Sequence, residues 1–182
     1  MSSPVKILPH YTYQAYVRWE GRWELIEGIP YAMSPLPRPR HQEVAGNIYS
    51  ILKAALKNSK CNCKVFLPLD YKISDDIVLQ PDLLVICNPD MDKKNLEKTP
   101  HLVVEVLSPS TMLKDRNTKF YIYQSQKIPY YLIVDVDKKE IEIYQLKEDG
   151  KYMIEKFTLS MPYTFYLDSA CSVDVLLDNI WD

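Results

Sequence analysis

Two acidic residues stand in stretches that otherwise read as buried strand. Gln80-Pro81-Asp82 leads into the apolar run Leu83 to Cys87, and His101-Leu102-Val103-Val104-Glu105-Val106-Leu107 carries Glu105. Near-continuous runs of Val, Leu and Ile belong in the middle of a sheet covered on its faces. An ionised carboxylate buried there alone costs several kcal/mol or is neutralised by a shift in its pKa. Asp82 and Glu105 therefore need a cation, a base or a network of donors. A divalent metal supplies the cation. Mg²⁺ takes oxygen ligands and keeps several waters, which suits two carboxylates converging from adjacent strands with one side open for a phosphate.

The elements around these acids follow from pattern and punctuation. Ser108-Pro109-Ser110 predicts a helix start with Ser110 as its N-cap, and Met112, Asp115, Lys119 and Tyr123 recur along one side of that helix. Asp115 and Lys119 also fit a plain i,i+4 surface ion pair. Upstream, one strand is expected over residues 77–87 and another over 101–107, where alternation puts Glu105 beside Val103 and Leu107 on an apolar face. Residues 128–135 and 140–146 read as further strands, and 152–159 as one more. Val173, Val175, Leu176, Leu177 and Ile180 predict a closing helix over residues 172–181.

The first third of the chain is read in the same way. Tyr13, Tyr16 and Val17 predict a short amphipathic helix near Thr12, Gly21 breaks it, and residues 22–28 and 29–33 form a hairpin. Ser34-Pro35-Leu36-Pro37-Arg38-Pro39-Arg40 is expected as an exposed loop, because its three prolines remove backbone donors. Arg38 and Arg40, next to His41, make a compact basic cluster that could meet a phosphate backbone or simply be a solvated connector. From His41 to Lys57, Val44, Ile48, Ile51, Leu52, Ala55 and Leu56 recur at helical spacing and predict a helix covering one face of the core.

Composition limits the function classes. The chain has 182 residues, 47% hydrophobic and 25% charged, which fits one globular domain spanning residues 1–182. A net charge of −2 does not advertise nucleic-acid binding, although a local basic face can hide within it. No apolar stretch is long enough for a membrane span, and Met1 to Pro9 lacks the apolar core of a signal peptide, so a cytoplasmic location is expected. Of the four cysteines, Cys61 and Cys63 are one residue apart while Cys87 and Cys171 are isolated. No pair of C-x2-C spacings exists for a zinc ribbon, so four reduced structural thiols are expected.

A Pro-Asp, a second strand bearing an acid and a following helix with a lysine together resemble the PD-(D/E)xK nuclease superfamily, and within it an uncharacterised restriction endonuclease family of cyanobacterial type. The shared phrases are residues 23–28, 33–35, His41, Pro81-Asp82-Leu83, residues 104–110, Asp115 with Lys119 and Tyr123, and residues 129–135. A Pro-Asp alone carries little; its joint occurrence with Glu-Val-Leu-Ser-Pro-Ser and a downstream Asp-x3-Lys is far more restrictive.

The resemblance implies an α/β fold with a restriction-endonuclease-like core, a mixed β-sheet flanked by α-helices. It also implies a Mg-dependent endonuclease, with Mn²⁺ as a substitute ion, DNA as substrate, and a homodimer where both strands of a duplex are cut. Asp82, Glu105 and the Val106 carbonyl would hold the metal, Lys119 would steady the attacking water or the developing charge, and Glu27 resembles an additional acid of many members. One departure stands out. The superfamily commonly carries its lysine two residues after the second acid, and Leu107 occupies that position, so Lys119 on the next helix is the expected replacement. A catalytically degenerate binding module of the same fold, and an interaction protein acting through exposed tyrosines, are the competing readings.

Overall fold

The computed structural model describes residues 8–33, 37–92, 95–157, 159–169 and 171–181, and counts and absences given below are of those residues. In chain order the elements are helix α1 (Tyr13–Tyr16), strands β1 (Trp23–Ile26) and β2 (Ile29–Ala32), helix α2 (Pro39–Asn58), and strands β3 (Cys63–Phe66), β4 (Tyr71–Lys72), β5 (Val78–Leu79), β6 (Leu83–Cys87) and β7 (Leu102–Val106). A π-helical segment (Lys114–Lys119) runs into α3 (Phe120–Ser125), and β8 (Tyr130–Asp135), β9 (Glu140–Leu146), β10 (Tyr152–Glu155), β11 (Tyr163–Asp168), β12 (Cys171–Val175) and a 3-10 turn (Asp178–Trp181) follow.

Six strands form the central sheet in the order β10-β9-β8-β7-β6-β3. β7 and β8 run parallel, and every other neighbouring pair is antiparallel. A parallel pair needs a long crossover, which the π-helical segment and α3 provide between β7 and β8. The architecture is thus the expected α/β mixed sheet flanked by helices.

Side chains alternate across this sheet and build two layers. On one face Leu83 and Val85 of β6, Leu102, Val104 and Val106 of β7, and Leu132 and Val134 of β8 pack against Val44, Ile48, Leu52 and Leu56 of α2. The four-residue spacing of those α2 positions makes a single apolar stripe. Truncating one of them, such as Ile48, to Ala would cost about 2–5 kcal/mol. On the other face Leu84, Val103, Tyr131 and Ile133 meet Ile26, Tyr71, Leu79 and Tyr123. Glu105 shares this second face with Val103 and Leu107, as alternation requires.

The expected strand over 77–87 is broken in two. β5 belongs to a four-stranded sheet, β2-β1-β5-β4, whereas β6 belongs to the central sheet. The break falls at Gln80-Pro81-Asp82, where Pro81 has no N–H to give to a ladder. Asp82 consequently sits at the entrance of β6, not within it.

Two other expectations fail for physical reasons. The closing helix over 172–181 is strand β12 followed by the 3-10 turn: Cys171, Val173 and Val175 are buried while Ser172 and Asp174 are exposed, a period of two. Its partner β11 was not foreseen. The four cysteines are not free thiols either, since Cys61 is bonded to Cys171 and Cys63 to Cys87. Cys63 and Cys87 are direct cross-strand partners in the β3–β6 ladder, and β12 carries Cys171 to the end of α2.

The expected proline loop is shorter than its sequence suggests. Pro39 is in the first turn of α2, where its missing donor costs nothing, and Arg40 lies inside the helix. Ser34 to Leu36 lie outside the described residues. No helix is long and apolar enough to cross a membrane.

Candidate active site

The antiparallel register of β6 and β7 pairs Leu83 with Val104, which sets Asp82 opposite Glu105 at one end of the two strands. Asp82 Oδ2 accepts a hydrogen bond from the Val106 amide at 2.8 Å. His41, in the first turns of α2, places Nε2 2.8 Å from the Val106 carbonyl and 3.3 Å from Asp82 Oδ2. One electropositive ring nitrogen thus touches two of the oxygens expected to bind metal. Burial works against charge on His41, but the hydrogen bond and charge of Asp82 outweigh it and raise its pKa above the usual imidazole value.

Behind this pair lies a buried ionic cluster. Lys119 Nζ is 2.8 Å from Glu105 Oε1, 2.8 Å from Glu24 Oε1 and 3.4 Å from Asp115 Oδ1. Exposure is 1% for Lys119, 3% for Glu105, 1% for Asp115 and 0% for Glu24, so solvent screens none of these charges. Tyr123 Oη donates to Glu105 Oε1 at 2.7 Å, and the Gln80 amide donates to Glu24 Oε1 at 3.0 Å. Lys114 completes the group with an ion pair to Glu24 Oε2.

The π-helical geometry explains how two lysines reach one acid. Lys114 and Lys119 are five residues apart, which an α-helix would splay by about 140° around its axis. A segment bonded i→i+5 stacks that spacing on one side. Both ammonium groups then meet Glu24.

The charges of the cluster do not cancel. Desolvation pushes the Glu105 carboxyl well above the usual range, with Lys119 opposing and Asp115, Asp82 and Glu24 reinforcing the shift. Asp115 is raised by burial as well. Glu24 goes the other way: burial disfavours its charge, but Lys119 and Lys114 hold it below the ordinary carboxylate value. Lys119 is held protonated well above its usual value, because Glu105, Glu24 and Asp115 more than offset its desolvation. Glu24, Glu105 and Asp115 face Lys114 and Lys119 while Asp82 faces His41, so four acids meet three basic groups, a surplus that a proton or a further cation must meet.

A cleft of about 660 Å³ opens on this group, and Asp82, Glu105, His41, Lys114 and Lys119 all line it. Arg38 and Arg22 stand on its wall. Arg22 Nε donates to Gln80 Oε1 at 2.6 Å, while its Nη2 is buried without a partner. An orphaned guanidinium nitrogen on a cleft wall suits an anionic oxygen.

The expected residues divide as follows. Asp82, Glu105, Val106, Lys119 and His41 are brought together, with Asp115 and Tyr123 beside them. Arg38 lines the cleft, but Arg40 is committed to Glu43 and the Trp181 carbonyl. Glu27 is not brought to the cluster. It is exposed in the two-residue turn between β1 and β2, with φ of 50°, followed by Gly28 at 74°. Two successive positive φ values mark the tight hairpin turn that matches strand twist, so this Glu-Gly pair serves the turn. A side chain at Gly28 would also collide with the His10 ring.

Glu24 is the acid that the hairpin contributes, and residue reasoning missed it together with Arg22 and Lys114. Alternation could have found Glu24, which is two residues before the buried Ile26 on the same face of β1. The atoms expected to hold a metal at the cleft are all oxygen: the carboxylates of Asp82 and Glu105 and the Val106 carbonyl. Hard divalent ions such as Mg²⁺ and Mn²⁺ match them; softer ions that favour sulfur or imidazole do not.

Comparison with known proteins bears on the family and the fold. The Uma2 family model, described as "Putative restriction endonuclease", matches residues 12–168. An uncharacterized protein of Synechocystis sp. is 29% identical over 168 residues, covering 87% of this chain and 86% of its own length. A crystal structure from Anabaena variabilis, described as "a putative nuclease belonging to DUF820", superposes with a TM-score of 0.72 at 14% identity, covering 93% of this chain and 97% of that one. At that identity the likeness concerns the fold.

Proposed function

The chain belongs to the Uma2 family, and from that premise we propose that it is a divalent-metal-dependent endonuclease hydrolysing phosphodiester bonds of DNA, with Asp82 and Glu105 holding the metal. The observation that carries this reading is the register that sets Asp82 opposite Glu105 at one end of β6 and β7, where both line the cleft. Mg²⁺ or Mn²⁺ would be held by Asp82, Glu105 and the Val106 carbonyl. Both bonds to Glu105 fall on Oε1, and both partners of Asp82 on Oδ2, leaving one oxygen of each outside those bonds. When bound, such an ion polarises the phosphodiester and lowers the pKa of a water.

The chain's own residues supply the rest. Lys119 and Tyr123 donate to Glu105 and hold its carboxylate in one orientation. His41 braces Asp82 and the Val106 carbonyl together. The ammonium group of Lys114, on the cleft wall, faces the negative charge that builds on the phosphate oxygens, while Lys119, enclosed by carboxylates, acts through Glu105. Arg22 and Arg38 meet neighbouring phosphates and set the strand's position without reading its sequence. Cutting both strands of a duplex takes two such sites, which a two-fold dimer supplies.

A second reading has one observation in its favour. Lys119 is enclosed by three carboxylates, and Leu107 stands where the superfamily carries its lysine, a pattern that also suits a catalytically silent member binding DNA in the same cleft. Supercoiled plasmid separates the two. The nuclease reading expects nicking with Mg²⁺ or Mn²⁺ that a chelator stops and that Asp82→Asn and Glu105→Gln abolish. Plasmid binding with no metal-dependent nicking would establish the silent reading instead.

A further inference from the structure

At the opposite end of β6 from Asp82, all four cysteines of the chain meet. Cys61 follows the end of α2, Cys63 opens β3, Cys87 closes β6 and Cys171 opens β12. Cys63, Cys87 and Cys171 are buried and Cys61 is half-buried. The sulfurs are bonded as Cys61–Cys171 and Cys63–Cys87, and the two bridges touch: Cys63 Sγ lies 3.6 Å from Cys171 Sγ. The sulfurs of Cys61, Cys63 and Cys171 all lie within 4.8 Å of one another.

Two independent disulfides have no need to lie sulfur against sulfur. A tetrahedral metal does need it. Zinc binds thiolate at about 2.3 Å, which sets any two of its sulfurs about 3.8 Å apart. The contact between the bridges already has that spacing. We propose that these cysteines form a zinc site, in which Cys61, Cys63, Cys87 and Cys171 of the reduced chain hold one Zn²⁺ as a tetrathiolate and the bonded pairs are its oxidised form.

The conversion balances with a dithiol as reductant. Each disulfide accepts two electrons and two protons from one dithiol, which leaves as its own cyclic disulfide, so two dithiols yield four thiols. Zn²⁺ then displaces the four thiol protons, forms four Zn–S bonds and leaves a centre of net charge −2. Cations stand ready for that charge. Lys98 Nζ donates to the Cys87 carbonyl at 2.7 Å, and Lys60 and Lys64 flank Cys61 and Cys63 in the chain. His101 is not a competing ligand through Nδ1, which accepts from the Cys87 amide.

The site would tie the end of α2, the edge of the central sheet and the β11–β12 hairpin into one unit. Zinc thus stabilises the reduced fold where disulfides stabilise the oxidised one. Its chemistry also separates it from the acid cleft, because thiolate sulfur prefers zinc and carboxylate oxygen prefers magnesium.

The test uses the full chain, reduced with dithiothreitol without air, loaded with Zn²⁺ in excess Mg²⁺ and desalted. The expected result is one zinc per reduced chain and none on the oxidised chain, with loss of that zinc in Cys87→Ser. Iodoacetamide labelling read by intact mass needs no variant: zinc should protect all four thiols of the parent, and a strong chelator should expose them. Co²⁺ in place of zinc should give the sulfur charge-transfer bands and intense visible bands of a tetrahedral thiolate site. A reduced chain that retains no zinc, four thiols labelled equally with and without zinc, or disulfides that resist the dithiol would each overturn the proposal.

Discussion

Strand β6 joins two clusters of opposite chemistry. At its entrance Asp82 meets Glu105, His41 and the cleft; at its exit Cys87 meets Cys63 and the other sulfurs. The two residues are five steps apart, about 17 Å along a strand. α2 runs between the same two ends, with His41 near its start and Cys61 just beyond its last turn. The oxygen end has surplus acid, an open wall and orphaned nitrogens on Arg22 and His41. The sulfur end has every cysteine bonded. An unsatisfied cluster beside a cleft is poised to bind something from solution, whereas a satisfied one holds the framework still.

The largest effect is expected from removing the cation that the oxygen end already has. Lys119→Met leaves Glu24, Glu105 and Asp115 buried around an apolar side chain, and should cost about 3–5 kcal/mol in urea unfolding. Glu24→Gln in that background should recover part of the loss. A Lys119→Met chain as stable as the parent would show that the cluster is not coupled as its geometry implies.

Cys171→Ser probes the other end. Opening one long-range bridge in the oxidised chain should cost about 2–4 kcal/mol, while metal-dependent nicking per folded molecule stays unchanged. A change in nicking larger than the change in folded fraction would mean that the two ends communicate.

A smaller effect is expected from pH. A proton on Glu105, whose pKa is raised by burial, competes with a metal, so Mn²⁺ affinity should rise as pH climbs above the ordinary glutamate value of about 4.3. Stability of the metal-free chain has the opposite sign. A raised carboxyl contributes its full share of stability below the unfolded value and loses it as pH rises through the folded value. Added Mn²⁺ should restore what that rise removes, as read by the melting temperature at a series of pH values. An affinity that does not vary with pH would take Glu105 out of the ligand set.

The smallest effect belongs to Glu27. Its positive φ suits Asn better than Glu, so Glu27→Asn should raise stability by up to about 1 kcal/mol and leave metal binding as it was. Loss of metal binding would return this residue to the site.

The central sheet was legible because its strands are punctuated and alternate. Glu105 was legible for the same reason: Val103 and Leu107 declare its face. Asp82 was legible through its Pro-Asp, although the proline that marks it also cuts the strand, a consequence the apolar run concealed. Glu24 was hidden because a glutamate beside Trp23 reads as an ordinary strand-edge acid until the lysines that neutralise it are placed. Those lysines sit five apart, a spacing that only a π-helical segment makes cofacial. The β12 strand was hidden because Leu177 and Ile180 extend its apolar pattern into a helical period. The sulfur cluster has no local pattern at all. Its members lie 61, 63, 87 and 171 along the chain, and only the β3–β6 ladder and the returning hairpin bring them together.

The most direct measurement is a calorimetric titration of Mn²⁺ into the full chain and into Glu105→Ala at neutral pH. Saturable binding is expected in the parent, with an observed heat that varies linearly with the buffer's ionisation enthalpy because protons are released, and loss of that binding in Glu105→Ala. Binding that persists in a folded Glu105→Ala chain, or no binding in the parent with or without DNA, would contradict the assignment of Asp82 and Glu105 as a metal site.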